Sequence, residues 1–193
     1  MPEAGLEGRL LPDSHVCAFV EDGEEPAALF APFLREGLEQ GERVVAIAGP
    51  SSLERHRREL QALNTDTARC EAAGHLQLLP WTQVQATTPT GFDPSGTLDT
   101  VSGIMTACSG AKLPTSRLLA GMDWVVSITG GGDAVAHYEA GLDRLVRERG
   151  HIVVCVFDLS RLSGQLLMRL LSTHPLAWTR GELVPSPFYT ANP

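Results

Sequence analysis

The stretch "HIVVCVFDL", residues 151 to 159, is apolar at nearly every position. A strand with one wet face alternates apolar and polar residues; a run without alternation belongs to a strand covered on both faces, as inside a parallel sheet. Parallel neighbours cannot be joined by a tight turn. Each pair needs a crossover of a dozen or more residues, usually a helix. The rest of the chain should therefore alternate strands with amphipathic helices.

It does. "HVCAFV" (15 to 20) is a short apolar run, and Leu29, Phe30, Phe33, Leu34 and Leu38 follow at helical spacing, with Gly41 placed to end the helix. "RVVAIAG" (43 to 49) is a second strand, after which Ser51 or Ser52 can cap a charged helix running to about Leu63. A short helix around "DTARCEAAG" leads to the strand "HLQLLP" (75 to 80). "WTQVQATTPTGFD", Trp81 to Asp93, is a long loop of the kind that borders functional sites. Leu98, Val101, Ile104, Met105 and Cys108 mark a helix ending at Gly110, and "SRLLAGMDWVVSI" (116 to 128) contains a strand. Val135, Tyr138, Leu142, Leu145 and Val146 line one face of a helix closed by Gly150. After 151 to 159, "GQLLMRLLSTH" is a last helix, and "LAWTRGELVPSPFY" reads as a closing hairpin. The expected fold is α/β, three-layered, with a mostly parallel sheet. Residues 1 to 14 are expected to form a flexible lead-in, and 15 to 190 a single domain.

Charge narrows the partners. With 15 Lys+Arg against 23 Asp+Glu the formal net charge is −8, which repels polyanions and anionic membranes, so neither direct nucleic-acid binding nor membrane association is expected. The N-terminus lacks the charge and apolar core of a signal peptide. Four scattered cysteines without a Cys-x-x-Cys pair suit a reducing compartment, and the cytoplasm is the expected location. Homo-oligomer formation is left open.

"SITGGGD", 127 to 133, raises the question of a phosphate loop. A Walker loop needs a lysine that reaches the phosphates, and the only lysine is Lys112, outside any such context. Nor does "GGGDAVA" supply the third glycine of a dinucleotide fingerprint. The segment reads as a turn, with Asp133 as N-cap of the next helix.

In open α/β sheets ligands bind outside the carboxyl ends of the strands. Those ends carry Phe19, Glu21 and Asp22; Trp81; Asp123 and Trp124; and Phe157, Asp158 and Arg161. Aromatic rings with a few polar groups make small-molecule pockets. The candidate ligand-binding residues are therefore Phe19, Glu21, Trp81, Asp123, Trp124, Asp158 and Arg161, the aromatics enclosing and Asp158 and Arg161 either orienting a ligand or forming a structural ion pair. His15, Cys17, His151 and Cys155 could converge on a metal, but their spacing lacks the tight pairs of structural zinc, and no metal or other cofactor is expected. His174 is expected to end a helix. No Gly-x-Ser-x-Gly or His-Glu-x-x-His set exists, so the chain is not expected to be an enzyme.

Read together, "HVCAFVEDGEEPAALFAPFLREGLEQGERVV", "GMDWVV", "HYEAGLDRL", "VCVFDLSRLSGQLLMRLLSTHPL" and "PFY" resemble the MEDS domain, the methanogen/methylotroph, DcmR sensory domain, over residues 13 to 190. The resemblance rests on His15-x-Cys17, Glu36-Gly37-Leu38 with Gly41-Glu42, Met122-x-Trp124, Tyr138-Glu139 and His174-Pro175-Leu176. The chain departs from the pattern at Gly121 and at Ser186-Pro187-Phe188-Tyr189. The resemblance implies a RecA/KaiC-like scaffold derived from P-loop ATPases without a functional Walker loop. It also implies small-molecule sensing on behalf of a transcriptional or kinase-type regulatory partner. A stand-alone sensory domain is the expectation; the competing readings are a nucleotide-binding enzyme with residual hydrolase activity and a ligand-free interaction scaffold.

Overall fold

The computed structural model describes residues 6, 8–21, 23–89, 91–106, 115–127 and 132–191. Strands β1 (His15–Val20), β2 (Arg43–Ala48), β3 (Leu76–Pro80), β6 (Ser116–Gly121), β7 (Ile152–Asp158) and β8 (Leu176–Thr179) lie parallel. Strand β9 (Glu182–Pro185) closes the sheet antiparallel to β8, giving the order β3-β2-β6-β7-β1-β8-β9. A two-residue pair, β4 (Thr87–Thr88) with β5 (Gly91–Phe92), sits apart within the long loop.

The apolar run singled out first is β7, buried along its length between β6 and β1. Its side chains alternate between two cores. Val153, Cys155 and Phe157 face helices α4 (Pro94–Thr106), α5 (Gly132–Arg149) and α6 (Gly164–Thr173), while Ile152, Val154 and Val156 face α1 (Pro26–Glu39) and α2 (Pro50–Ala62). The short helix α3 (Thr67–Ala72), capped by the Asp66 side chain, completes the element set. Helices thus cover both faces of the sheet, as continuous apolar strands require.

Helix ends follow local chemistry. Gly41 and Gly150 take φ values of 73° and 69°, which end α1 and α5 without Cβ strain. Ser163 caps α6 through a hydrogen bond from Leu166 N. Two expectations are corrected. α2 starts at Pro50 behind Gly49, because proline at the first helical position needs no N–H partner, so neither Ser51 nor Ser52 is the cap. Asp133 lies in the first turn of α5, where it pairs with Arg169 of α6 instead of capping. Gly130 and Gly131 before it, Cys108, Gly110 and Asp22 lie outside the described residues.

Part of the lead-in packs on the domain. Leu6 and Leu10 are buried in the core beneath α1, Gly8 N donates to Glu36 Oε1 at 2.9 Å, and Asp13 N donates to the carbonyl of His151. Two spaced leucines carry too little periodicity to announce this. On the same side, Arg117 at the start of β6 is caged: its guanidinium bonds Glu42 (2.6 Å), Glu36 (2.7 Å) and the Phe33 carbonyl (2.9 Å). The segment Glu36-Gly37-Leu38 with Gly41-Glu42 therefore has a structural role, building a pocket for one buried cation.

Candidate functional site

At the carboxyl ends of the strands four rings gather. Trp81 begins a 3-10 turn directly after β3, Trp124 lies in a 3-10 turn after β6, Phe92 belongs to the small hairpin of the long loop, and Tyr138 comes from α5. Trp124 is the hub, with ring centroids 4.9 Å from Trp81, 4.7 Å from Phe92 and 6.4 Å from Tyr138. The tilted and edge-on geometries suit aromatic quadrupoles. The Trp81 indole donates to the Gly121 carbonyl, tying the end of β3 to the end of β6. Thr97 Oγ1 accepts from Ala86 N at 2.9 Å and anchors the loop that carries Phe92. The Trp124 indole N–H, by contrast, is buried and has no partner among the described residues. A buried donor without an acceptor costs about 1–3 kcal/mol.

The remaining sequence candidates stand at the ends of β1, β6 and β7. Phe19 packs 6.4 Å from Phe157. Glu21 pairs with Arg180 at 2.8 Å. Asp123 is exposed. Asp158 caps the 3-10 turn that follows it, accepting from Ser160 N (3.0 Å) and Ser160 Oγ (2.6 Å), and among the described residues it forms no ion pair with Arg161, which is exposed. The proposed Asp158–Arg161 pairing is thus replaced by local capping, because a hydroxyl two residues away reaches the carboxylate without ordering a long side chain. Phe92 and Tyr138 were missed as members of the ring cluster. Tyr138 looks like any other residue on the buried face of α5, and Phe92 lies in a loop without periodicity.

A second cluster, polar and wholly buried, lies between the sheet and helices α5 and α6. His15 of β1, Cys155 of β7, Glu139 of α5 and His174 at the end of α6 each offer a ligand-type atom, and the four atoms lie within 4.8 Å of one another. His15 and Cys155 were among the sequence's candidate ligands; His151 is not in the group, and Cys17, opposite Cys155 in the strand register, borders it. Glu139 and His174 stood out in the sequence as parts of the family pattern, not as candidate ligands. His174 is indeed the C-cap of α6, as expected.

The cluster is electrostatically tense. Glu139 Oε2 lies 3.5 Å from His15 Nε2 and 3.4 Å from His174 Nε2, and Asp143 Oδ1 lies 3.4 Å from His15 Nδ1. These are ion-pair separations; among the described residues His174 Nε2, His15 Nδ1, Glu139 Oε1 and Asp143 Oδ1 have no hydrogen-bond partner. Burial pulls the His15 pKa down, but the Asp143 and Glu139 carboxylates outweigh it and hold the value above normal. Burial and the neighbouring His15 push His174 well below the ordinary imidazole range. Burial and the Glu139 charge push the Cys17 and Cys155 thiols up. Tyr138 shares both sites: its ring joins the aromatic cluster, and its hydroxyl pKa is pushed up by burial and by Glu139 and Cys155.

Against known families, the family model for the methanogen/methylotroph, DcmR sensory domain matches residues 14–175, most of the chain. The chain belongs to the MEDS family. It is thereby a member of a sensory-domain family, as the resemblance implied. No curated protein matches it. The matched span of this MEDS domain ends just before β8, so the closing hairpin lies beyond it. His15-x-Cys17, Tyr138-Glu139 and His174, which carry the resemblance, meet at the polar cluster, and Trp124 centres the ring cluster. Among the described residues of this MEDS domain, no helix is long and apolar enough to cross a membrane.

Proposed function

We propose that this MEDS domain binds a small molecule at the carboxyl ends of its strands and passes the resulting population shift to a transcriptional or kinase-type regulatory partner. The observation that carries the reading is the buried Trp124 indole N–H, without a partner among the described residues, within a cluster of four rings. The ligand this favours has an apolar body and one hydrogen-bond acceptor. With a net charge of −8 around it, the site disfavours anions. Trp81 and Trp124 enclose the ligand; Phe19, Glu21, Asp123, Asp158 and Arg161 form the rim at the neighbouring strand ends. A ligand that binds one conformation better than another shifts the balance between them, which is the physical content of sensing.

We further infer that the scaffold is RecA/KaiC-like and derived from a P-loop ATPase. Support comes from β1 lying inside a parallel sheet with α1 following its carboxyl end, where a phosphate loop would sit. The described part of that connection holds Glu21, Glu24 and Glu25 and no cation. Recognition is therefore favoured over phosphoryl transfer, which depends on positioned positive charge.

The test is calorimetric titration of neutral small molecules, with quenching of Trp81 and Trp124 fluorescence as a second readout. For any ligand found, Trp124→Phe keeps the ring contacts and removes the N–H, so affinity should fall about 2- to 10-fold, the equivalent of one ordinary hydrogen bond. Equal affinity in wild type and variant would reject this site.

A further inference from the structure

We propose that His15, Glu139, Cys155 and His174 form a four-coordinate site for a zinc-class divalent ion, buried between the sheet and helices α5 and α6. Geometry is the first argument. A tetrahedral site with bonds of about 2.0–2.3 Å has ligand-to-ligand edges of about 3.3–3.8 Å. Four of the six edges fall in that range: His174 Nε2 to Glu139 Oε2 3.4 Å, His15 Nε2 to Glu139 Oε2 3.5 Å, Cys155 Sγ to Glu139 Oε2 3.5 Å and Cys155 Sγ to His15 Nε2 3.8 Å; the other two, from His174 to His15 and to Cys155, lie within 4.8 Å. All four side chains are fully buried.

The tautomers are the second argument. His174 Nδ1 lies 2.8 Å from the Leu170 carbonyl, which only accepts, so Nδ1 carries the proton and donates it there. Nε2 then presents a lone pair, and what it faces is a carboxylate oxygen. Two acceptors aimed at each other in a dry interior require a proton or a metal ion between them. His15 turns its Nδ1 toward Asp143 Oδ1 at an ion-pair separation of 3.4 Å, and the other Asp143 oxygen accepts from Arg147 Nε (3.1 Å) and Tyr189 Oη (2.9 Å). Outer carboxylates and carbonyls that hold the far nitrogen of a histidine are the usual surroundings of metal-bound imidazole.

Charge and donor type give the third. One carboxylate and one thiolate neutralise a divalent ion, so the loaded site buries no net charge. Two imidazoles, a sulfur and an oxygen suit zinc and its neighbours; magnesium and calcium want oxygen alone. Loading releases the Cys155 thiol proton to solvent. A groove of about 300 Å³ is lined in part by His137, Asp143 and Thr173, and its Asp143 is the residue that faces His15. The ion would join β1, β7, α5 and the end of α6, and the proposal does not depend on the ligand at the strand ends.

The experiment strips the folded protein with a chelator under reducing conditions and titrates it with Co²⁺, then with Zn²⁺. We expect one ion per chain by native mass spectrometry, the intense visible bands of tetrahedral cobalt, and a sulfur-to-cobalt charge-transfer band that zinc abolishes. Cys155→Ser should lose the charge-transfer band, whereas Cys17→Ser should keep it. Asp143→Asn, outside the coordination shell, should keep the bands and weaken zinc binding about 10- to 100-fold. Folded wild type that takes up neither ion would overturn the proposal without reference to any variant. So would a charge-transfer band that persists in Cys155→Ser or vanishes in Cys17→Ser.

Discussion

Gly37→Ala would place a methyl group in the tightest part of the α1 interface. A Cβ built there lies 2.8 Å from each of Arg117 Nε, Glu42 Oε2 and Val44 Cγ2, well inside contact distance. Two of those atoms form the buried 2.6 Å bond between Arg117 and Glu42. The guanidinium cannot swing aside, because Glu36 and the Phe33 carbonyl hold its far end and the Phe33 ring lies 4.7 Å beneath it. Overpacking of this kind costs about 1–3 kcal/mol. Strain on the ion pair adds to it, up to about 3–5 kcal/mol if a buried charge is left unpaired. Alanine returns about 1 kcal/mol of helix propensity. The expected net loss is about 2–4 kcal/mol, or roughly 5–15 °C in midpoint for a domain of this size. Urea unfolding followed by circular dichroism measures it. Repeating the substitution in an Arg117→Met background removes two of the three clashing partners' constraints, so the loss there should shrink by at least about 1 kcal/mol. Gly37→Ala as stable as wild type would refute the reasoning, since helix propensity would then dominate and the cage would not be rigid.

Burial of His56 lowers its pKa from 6.5 to about 4, so the folded state resists protonating it. Its contribution is therefore present above the unfolded pKa of about 6.5 and fades as pH falls toward 4; wild type should lose more stability than His56→Gln across that window, roughly 2–3 kcal/mol more at its acid end, with the His56 NMR titration locating the shift. Leu6→Ala should cost about 2–4 kcal/mol by urea unfolding if the lead-in is part of the core, and well under 1 kcal/mol if it is loose. Tyr189→Phe removes the 2.9 Å bond to Asp143 and should cost about 1 kcal/mol in thermal unfolding, showing that the C-terminal segment is docked on α5.

Periodicity in the sequence reports how each segment is buried, and for this chain that was enough to specify the class of fold. The unbroken apolar run of β7 demanded cover on both faces, and the 3.6-residue spacing of α1, α5 and α6 supplied it. Glycine and proline marked the ends, apart from α2, where Pro50 outranked the serines after it. The aromatic residues at the strand ends were visible as candidates because position along a parallel strand predicts which end faces the crevice.

What periodicity does not report is which buried face meets which. The strand order, with β6 and β7 placed between β2 and β1, depends on how crossovers pack, and no local pattern encodes it. His15 and Cys155 are 140 positions apart and meet only because β1 pairs with β7 in that register. Glu139 and His174 joined them because α5 and α6 cover that face of the sheet. Local chemistry along the chain determined the elements and their buried sides; the assembly of those sides, through contacts whose partners are distant in sequence, alone decided that two imidazoles, a thiol and a carboxylate would share one dry space.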